Sequence, residues 1–258
     1  SNTSARSDHF GGCRMKKAFS VFIAFSSIFF ITLIFSCTPS VFIDVDESLK
    51  ADVKIQNICS QELNSIAKSF GVVDENKSMI DETSVKSELE KNGLSGVSIK
   101  VENFADFTAS MKCNSIANVD EKFGNTIQFE KKNGKTQLRF ELTSKMLLDF
   151  VQSTEGLNEI MELLMAPIYT QEQISPEEYL EVLSSFYGKQ SSEKFASSDL
   201  KIKISVPEKI ASTSILENKT SEYPLRAKIS SEGKTALITI PIYRYLSIPT
   251  ETTFVIQF

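Results

Sequence analysis

Apolar and polar residues alternate with a period of two in seven or eight segments of this chain. The alternation is clear in segments 49–56, 97–102, 107–114, 200–206, 225–231, 235–243 and 254–258. Successive side chains of a strand point to opposite faces, so this pattern is typical of strands with one buried face. Asn133-Gly134 lies between apolar residues and favours the positive φ angles of a type I′ turn, which predicts a β-hairpin.

Helical segments interrupt the predicted strands in two places. The first pair covers 60–71 and 81–93, and the second covers the apolar block 144–187, in which Ser175-Pro176-Glu177-Glu178 has the pattern of a capping box. This order predicts an α+β fold, with one antiparallel sheet of about seven to nine strands and two inserted pairs of helices. Segment 188–199 is polar and Ser-rich, and it is predicted to be a loop and a candidate boundary between two subdomains.

The segment that precedes the predicted domain has the parts of a secretory signal. Met15-Lys16-Lys17 is followed by 18 residues without charge, and Ser36-Cys37 comes next. Ile34-Phe35-Ser36-Cys37 resembles the lipobox of bacterial lipoproteins of the spirochaete type. The resemblance implies that 15–36 is a signal peptide and that Cys37 is acylated, as with palmitate. The alternative is an uncleaved transmembrane helix, which needs about 20 apolar residues.

Residues 1–14 contain no methionine and precede the basic start of the signal. We expect them to be an over-extended gene prediction, with Met15 as the true start. Under either interpretation of the signal, residues 37–258 form an extracytoplasmic domain tethered to a membrane in the cell envelope or periplasm. Whether that membrane is the inner or the outer one stays open.

Charge and residue content exclude several functions. The formal net charge of −5 argues against a nucleic-acid partner. Residues 1–36 carry four basic residues and one acidic residue, so residues 37–258 have a formal charge of −8, which gives no general attraction to anionic lipid. The only histidine is His9, and no phosphate-binding glycine motif occurs. We therefore expect no catalytic residue, no metal and no cofactor; a hydrolase that uses Ser, Lys or carboxylates is the alternative.

Two acidic groups and one cysteine pair have structural explanations. Asp44, Asp46, Glu47 and Asp52 lack the spacing of a calcium loop and are expected on a solvated strand edge or tether. Glu177 and Glu178 suit the first turn of a helix, where the helix dipole favours negative charge. Cys59 and Cys113 either form a disulfide, which an oxidising envelope permits, or remain two buried thiols.

The apolar helical block is the candidate binding site. Its apolar side chains exceed what one helix stripe of roughly 100° can bury, and methionine adapts to irregular apolar ligands. Core packing is one explanation, and a groove for an acyl chain or a bilayer contact is the other. The candidate ligand-binding residues are Phe150, Leu157, Ile160, Met161, Leu164, Met165, Leu183 and Phe186.

Three further segments resemble the LppM-type lipoproteins of bacterial envelopes: 48–55, 203–210 and 233–242. The resemblance implies an α+β envelope domain without catalytic residues that contacts a ligand or lipid, and it transfers no site residue. We therefore expect a non-enzymatic, lipid-anchored protein that binds a lipid, an apolar ligand or an envelope protein. A purely structural or surface-antigen lipoprotein is the remaining alternative.

Overall fold

The computed structural model describes residues 39–58, 82–91, 93–102, 106–114, 127–132, 134–145, 148, 166–170, 174–217 and 222–258. The strands of these residues form two sheets. The strands are β1 Ser40–Val45, β2 Ala51–Asn57, β3 Leu94–Val101, β4 Phe107–Cys113, β5 Ile127–Lys132, β6 Lys135–Thr143, β7 Asp199–Ser205, β8 Ser212–Glu217, β9 Lys228–Glu232, β10 Thr235–Pro241 and β11 Glu251–Gln257.

The main sheet has seven strands in the order β3-β4-β2-β1-β7-β10-β9. All neighbours are antiparallel except β1 and β7, which run parallel with Ser40 opposite Lys201. β1 is therefore the central strand, and the parallel pair joins the amino-terminal and carboxy-terminal parts of the chain. The second sheet has four antiparallel strands in the order β5-β6-β11-β8.

One face of the main sheet is apolar and buried. Alternate residues of its central strands, such as Val41, Ile55, Ile202 and Ile238, are buried, while the residues between them are exposed or half-buried. The second sheet contributes its own apolar face, including Phe254, to the same core. Because a sheet with period-two alternation buries only one side, the other face of the main sheet is left open.

Five helices lie among the described residues: α1 Glu82–Lys91, α2 Ala166–Thr170, α3 Pro176–Tyr187, α4 Lys189–Ala196 and α5 Ile242–Ser247. The predicted capping box begins α3: the Ser175 hydroxyl oxygen accepts from the Glu178 backbone N–H at 3.1 Å, and the Glu178 carboxylate accepts from the Ser175 backbone N–H at 2.8 Å. α3 and α4 pack together through Tyr179 and Phe195, whose ring centroids are 6.3 Å apart.

The predicted α+β class is confirmed, and the main sheet has a strand number in the predicted range. The strands are divided between two sheets, however, and the β1–β7 pair is parallel. The prediction of a loop in 188–199 is wrong, because α4 buries Ser192 and Phe195 on one side and exposes its polar residues on the other. α5 was predicted as the end of a strand, and β1 and β8 were not predicted. The predicted helix in 60–71 and the signal segment lie outside the described residues.

Candidate functional site

The open face of the main sheet carries rows of side chains that the strand register aligns across all seven strands. One row contains Ser98, Ser110, Lys54, Phe42, Lys203, Leu237 and Ser230; the next row, at the Ser40 end, contains Lys100, Thr108, Gln56, Ser40, Lys201, Thr239 and Lys228. These two rows hold five lysines and no carboxylate. We call them the lysine face.

A third row borders the lysine face on the side away from Ser40. It contains Lys112, Asp52, Asp44, Ser205 and Glu232. Asp44 and Asp52 lie directly opposite each other on β1 and β2, an arrangement of like charges that destabilises a sheet. The acidic side chains are thus confined to the third row, which also holds Lys112, and the two rows nearer to the amino-terminal end of β1 are basic.

A groove of about 420 Å³ runs between the lysine face and this third row. Its walls include Lys54, Lys203 and the exposed Phe42, which retains 36% of its accessible surface. The Lys54 Nζ lies 6.0 Å from the centroid of the Phe42 ring, a cation–π distance. The groove therefore combines an apolar platform with the ammonium groups of Lys54, Lys112 and Lys203 and with the carboxylates of Asp44 and Asp52 along one wall. The lysines beside the Phe42 ring suit an amphiphilic ligand with an anionic group.

The groove ends at an irregularity in β3. The register between β3 and β4 shifts between Ser95 and Ser98, and Gly96 in this shift has a φ of 58° and lines the groove. This positive φ favours glycine, so the bulge depends on that residue.

The acidic residues of the first predicted cluster have two separate roles. Asp44 and Asp52 border the groove, whereas Asp46 shapes the turn that joins β1 to β2. The Asp46 Oδ1 accepts hydrogen bonds from the Lys50 and Ser48 backbone N–H groups at 2.9 and 2.8 Å, and also one from the Ser48 hydroxyl. The hydrogen bond from the Lys50 backbone, followed by that from the Ser48 side chain, lowers the pKa of Asp46 below 3.8.

We expect Asp46→Asn to reduce the free energy of unfolding at neutral pH and to have no effect in strong acid. Because the pKa is lower in the folded protein, the carboxylate stabilises the fold above pH 3.8 and loses that contribution as the pH falls through the folded value. Urea unfolding at several pH values measures the difference. Glu47→Gln, at the neighbouring exposed position, is the matched control; a difference between wild type and Asp46→Asn that stays constant with pH contradicts this account.

The two glutamates at the start of α3 have structural partners. Glu178 belongs to the capping box, and hydrogen bonds from Ser175, the backbone N–H first and then the hydroxyl, lower the pKa of Glu178. The Glu177 Oε1 lies 3.1 Å from Nη2 of Arg244 on α5, which is buried. Both carboxylates therefore have partners that explain their positions without a role as general acid or base.

The candidate binding residues of the helical block fall into two groups. Leu183 is 2% exposed and belongs to the core, whereas Phe186 on the same helix is 64% exposed and follows the exposed Val182 by one turn. The other six candidates, Phe150, Leu157, Ile160, Met161, Leu164 and Met165, lie outside the described residues, as does the lipidation residue Cys37. Binding by this block therefore stays a prediction.

The predicted cysteine pair is described at one residue. Cys113 is buried at the end of β4, and Cys59 lies outside the described residues, so both the disulfide and the two thiols stay predictions. In the part of the chain that the structure describes, no three His, Cys, Asp or Glu residues are grouped as metal ligands. None of the described helices has the length and apolar content of a membrane-spanning segment.

The groove residues were not selected from the sequence. Phe42, Lys54 and Lys203 come from three strands. The antiparallel pairing of β1 with β2 places Lys54 beside Phe42, and the parallel pairing of β1 with β7 places Lys203 on the other side of Phe42. The available signal was Phe42 itself, since it occupies a polar position in the alternation of Val41, Ile43 and Val45.

No family model matches the sequence, and no curated protein is similar to it at a significant level. Among solved structures, the chain is similar to the folded domain of the Mycobacterium tuberculosis protein LppM, determined by NMR. The comparison covers 85% of this chain and 88% of that domain, with a TM-score of 0.36 and 7% sequence identity. The lipobox that the sequence analysis identified, 34–37, lies outside the described residues.

Proposed function

We propose that residues 37–258 form the non-catalytic, extracytoplasmic domain of a lipid-anchored bacterial envelope protein, and that this domain binds a lipid. The support for the anchor is the signal pattern that ends at Cys37. The observation that carries the binding role is the groove, where the exposed Phe42 lies between Lys54 and Lys203.

The residue types of the groove suit a lipid better than a hydrolysed substrate. An apolar ring accommodates methylene groups, and two lysines that flank it accommodate a phosphate or carboxylate. A hydrolase would need a nucleophile beside a general base. The serines of the groove, Ser110 and Ser205, have no hydrogen-bonded base among the described residues.

Mass spectrometry of the mature protein, purified from membranes in mild detergent, tests both parts of the proposal. We expect a covalent acyl mass that persists after denaturation and a lipid mass that is lost on denaturation. Cys37→Ala should remove the first mass, since acylation needs the thiol. Phe42→Ser should remove the second mass, because it deletes the apolar platform of the groove.

Leu216→Ser is the matched control for Phe42→Ser, since Leu216 is an exposed apolar residue of β8, in the other sheet. Acyl mass in Cys37→Ala contradicts the anchor. Equal lipid retention by Phe42→Ser and Leu216→Ser contradicts the groove as the lipid site. Lipid retention that depends on the exposed Phe186 would instead favour the helical block as the lipid-binding site.

A further inference from the structure

We propose that the lysine face docks onto anionic lipid head groups of the bilayer that holds the anchor. The inference rests on the proposed anchor at Cys37 and names the chemistry of the lipid that the open face contacts. The domain then lies with its main sheet against the membrane surface.

Chain length keeps the lysine face close to the bilayer. Pro39 is buried, and its carbonyl oxygen accepts a hydrogen bond of 3.0 Å from the Lys201 backbone N–H, so pairing with the sheet begins two residues after Cys37. Two residues span at most about 7 Å. An acylated Cys37 therefore holds Lys201, which lies opposite Ser40, at a distance from the bilayer comparable with the Debye length, about 8 Å at physiological ionic strength.

The proposed tether also joins the sheet at its central strand. β1 is the fourth of seven strands, with β3 at one edge and β9 at the other. Lys100 on β3 and Lys228 on β9 end the row that contains Ser40, the first residue of β1. A central attachment lets both ends of this row approach the membrane together.

The charge of the lysine face is complementary to anionic lipid. Of its five lysines, all exposed, only Lys100 forms an ion pair among the described residues, with Glu102. At the end nearer to Cys37, the other carboxylates among the described residues include the half-buried Asp106 and Asp199 and the exposed Glu82, which accepts a hydrogen bond from the Val101 backbone N–H at 3.0 Å. The centre of the face is therefore basic, although residues 37–258 carry a net negative charge.

Apolar side chains within the lysine face favour a bilayer as the occupant. Phe42 and Leu237 flank Lys203 in one row and are 36% and 38% exposed. At a membrane surface, such side chains enter the boundary between head groups and acyl chains, while lysine stems lie along it and keep their ammonium groups among the phosphates. A soluble polyanion would use the lysines and leave Phe42 and Leu237 in water.

Chemical protection of lysines tests the docking on the full acylated protein, reconstituted into vesicles. The reagent is a water-soluble amine-reactive ester, and mass spectrometry gives the extent of modification at each lysine. We expect modification of Lys54, Lys201 and Lys203 to fall several-fold in vesicles that contain phosphatidylglycerol, relative to vesicles of phosphatidylcholine alone. Lys135 and Lys209 are exposed residues away from this face and should react equally in both.

High salt and lysine substitutions test whether the protection of the lysines is electrostatic. In 1 M salt the Debye length falls to about 3 Å, so protection should disappear while the acylated protein stays with the vesicles. The variant K54Q/K201Q/K203Q should weaken docking roughly 100-fold, since each lysine near an anionic surface contributes about fivefold. The loss of docking by this variant is measured as an increase in the modification of Lys228 in vesicles that contain phosphatidylglycerol. The matched control K131Q/K135Q/K209Q, at exposed lysines away from this face, removes the same charge and should retain protection.

The outcomes separate this inference from the proposed function. Protein that stays with the vesicles but shows no protection in phosphatidylglycerol overturns the docking and leaves the anchor intact. Equal protection in both kinds of vesicle, or in detergent alone, also overturns it, because the lysines are then covered by something other than anionic lipid. Protein that leaves the vesicles in high salt overturns the anchor, and the docking with it.

Discussion

Arg244→Ala should reduce the free energy of unfolding by about 3–5 kcal/mol, the largest effect that we expect from a single substitution. Arg244 is 2% exposed, and each of its guanidinium nitrogens has a partner. Nη1 donates to the Pro224 carbonyl oxygen at 3.0 Å, Nη2 donates to Glu177 at 3.1 Å, and Nε donates to the Tyr243 hydroxyl at 3.1 Å.

The size of this effect follows from what the truncation leaves behind. Alanine removes three hydrogen bonds of a charged group, opens a cavity and leaves the Pro224 carbonyl without its donor. Glu177→Gln should cost less, on the order of 1 kcal/mol, because Glu177 is 66% exposed and water replaces the lost partner. Denaturant unfolding followed by circular dichroism measures both values.

Arg226→Ala is the matched control for Arg244→Ala, since Arg226 is an exposed arginine of the segment that precedes β9. It should change stability by no more than about 0.5 kcal/mol. If Arg244→Ala unfolds at the denaturant concentration of the wild type, the linkage of α5 to α3 by this guanidinium does not stabilise the domain.

Leu183→Ala and Phe186→Ala, on the same helix, should differ widely in their effect on stability. Leu183→Ala should cost about 2–5 kcal/mol, because its side chain is buried against the core. Phe186→Ala should change stability by about 0.5 kcal/mol or less, because the ring is mostly in water. The Phe186 ring lies beside Tyr187, with ring centroids 6.4 Å apart.

Calorimetric or denaturant unfolding gives the stability of both variants, and lipid retention gives their binding. Val182→Ala, one turn before Phe186 and also exposed, is the control for a general loss of apolar surface. A large loss of stability in Phe186→Ala would show that Phe186 is covered in solution. Lost lipid retention without lost stability would place the ligand on this helix and not in the groove.

Local sequence patterns predicted the elements that depend on local physics. β2, β4 and β7 follow from alternation, and α3 follows from its capping box, because the burial of one face and the capping of a helix are decided by neighbouring residues. Gly134, with a φ of 76°, occupies the predicted hairpin turn between β5 and β6. These predictions needed no knowledge of distant partners.

The errors arose where tertiary contacts override local preference. α4 was predicted as a loop because its serines are weak helix formers, yet the Ser192 hydroxyl donates to the Leu180 carbonyl oxygen at 2.7 Å and ties the helix to α3. α5 continues the apolar alternation of β10, but the burial of Tyr245 and Leu246 among the helices favours a helical turn. The segment of β1 was interpreted as a solvated strand edge and tether, and not as a central strand, because its acidic residues conceal its alternation.

The candidate site could not be predicted from the sequence, for a different reason. Its side chains are spread over more than 160 positions, from Phe42 to Lys203, and each of them is an ordinary exposed residue of its own strand. Only the register of seven strands aligns five lysines in two rows and places Asp44 and Asp52 in the row beside them. Strand order and register depend on pairing between distant segments, which alternation alone does not determine.

The central position of β1 determines how the domain resists mechanical force applied through the proposed anchor at Cys37. β1 pairs with β2 through Ser40–Val45 and with β7 through 40–44, so a pull on its amino-terminal end along the strand shears both ladders at once. Hydrogen bonds that lie perpendicular to the pull must break together, whereas an edge strand that is peeled away loses them one after another. The strand that follows the proposed anchor is thus the one whose extraction meets the greatest resistance, so we expect tension applied through Cys37 not to unfold the domain first at β1.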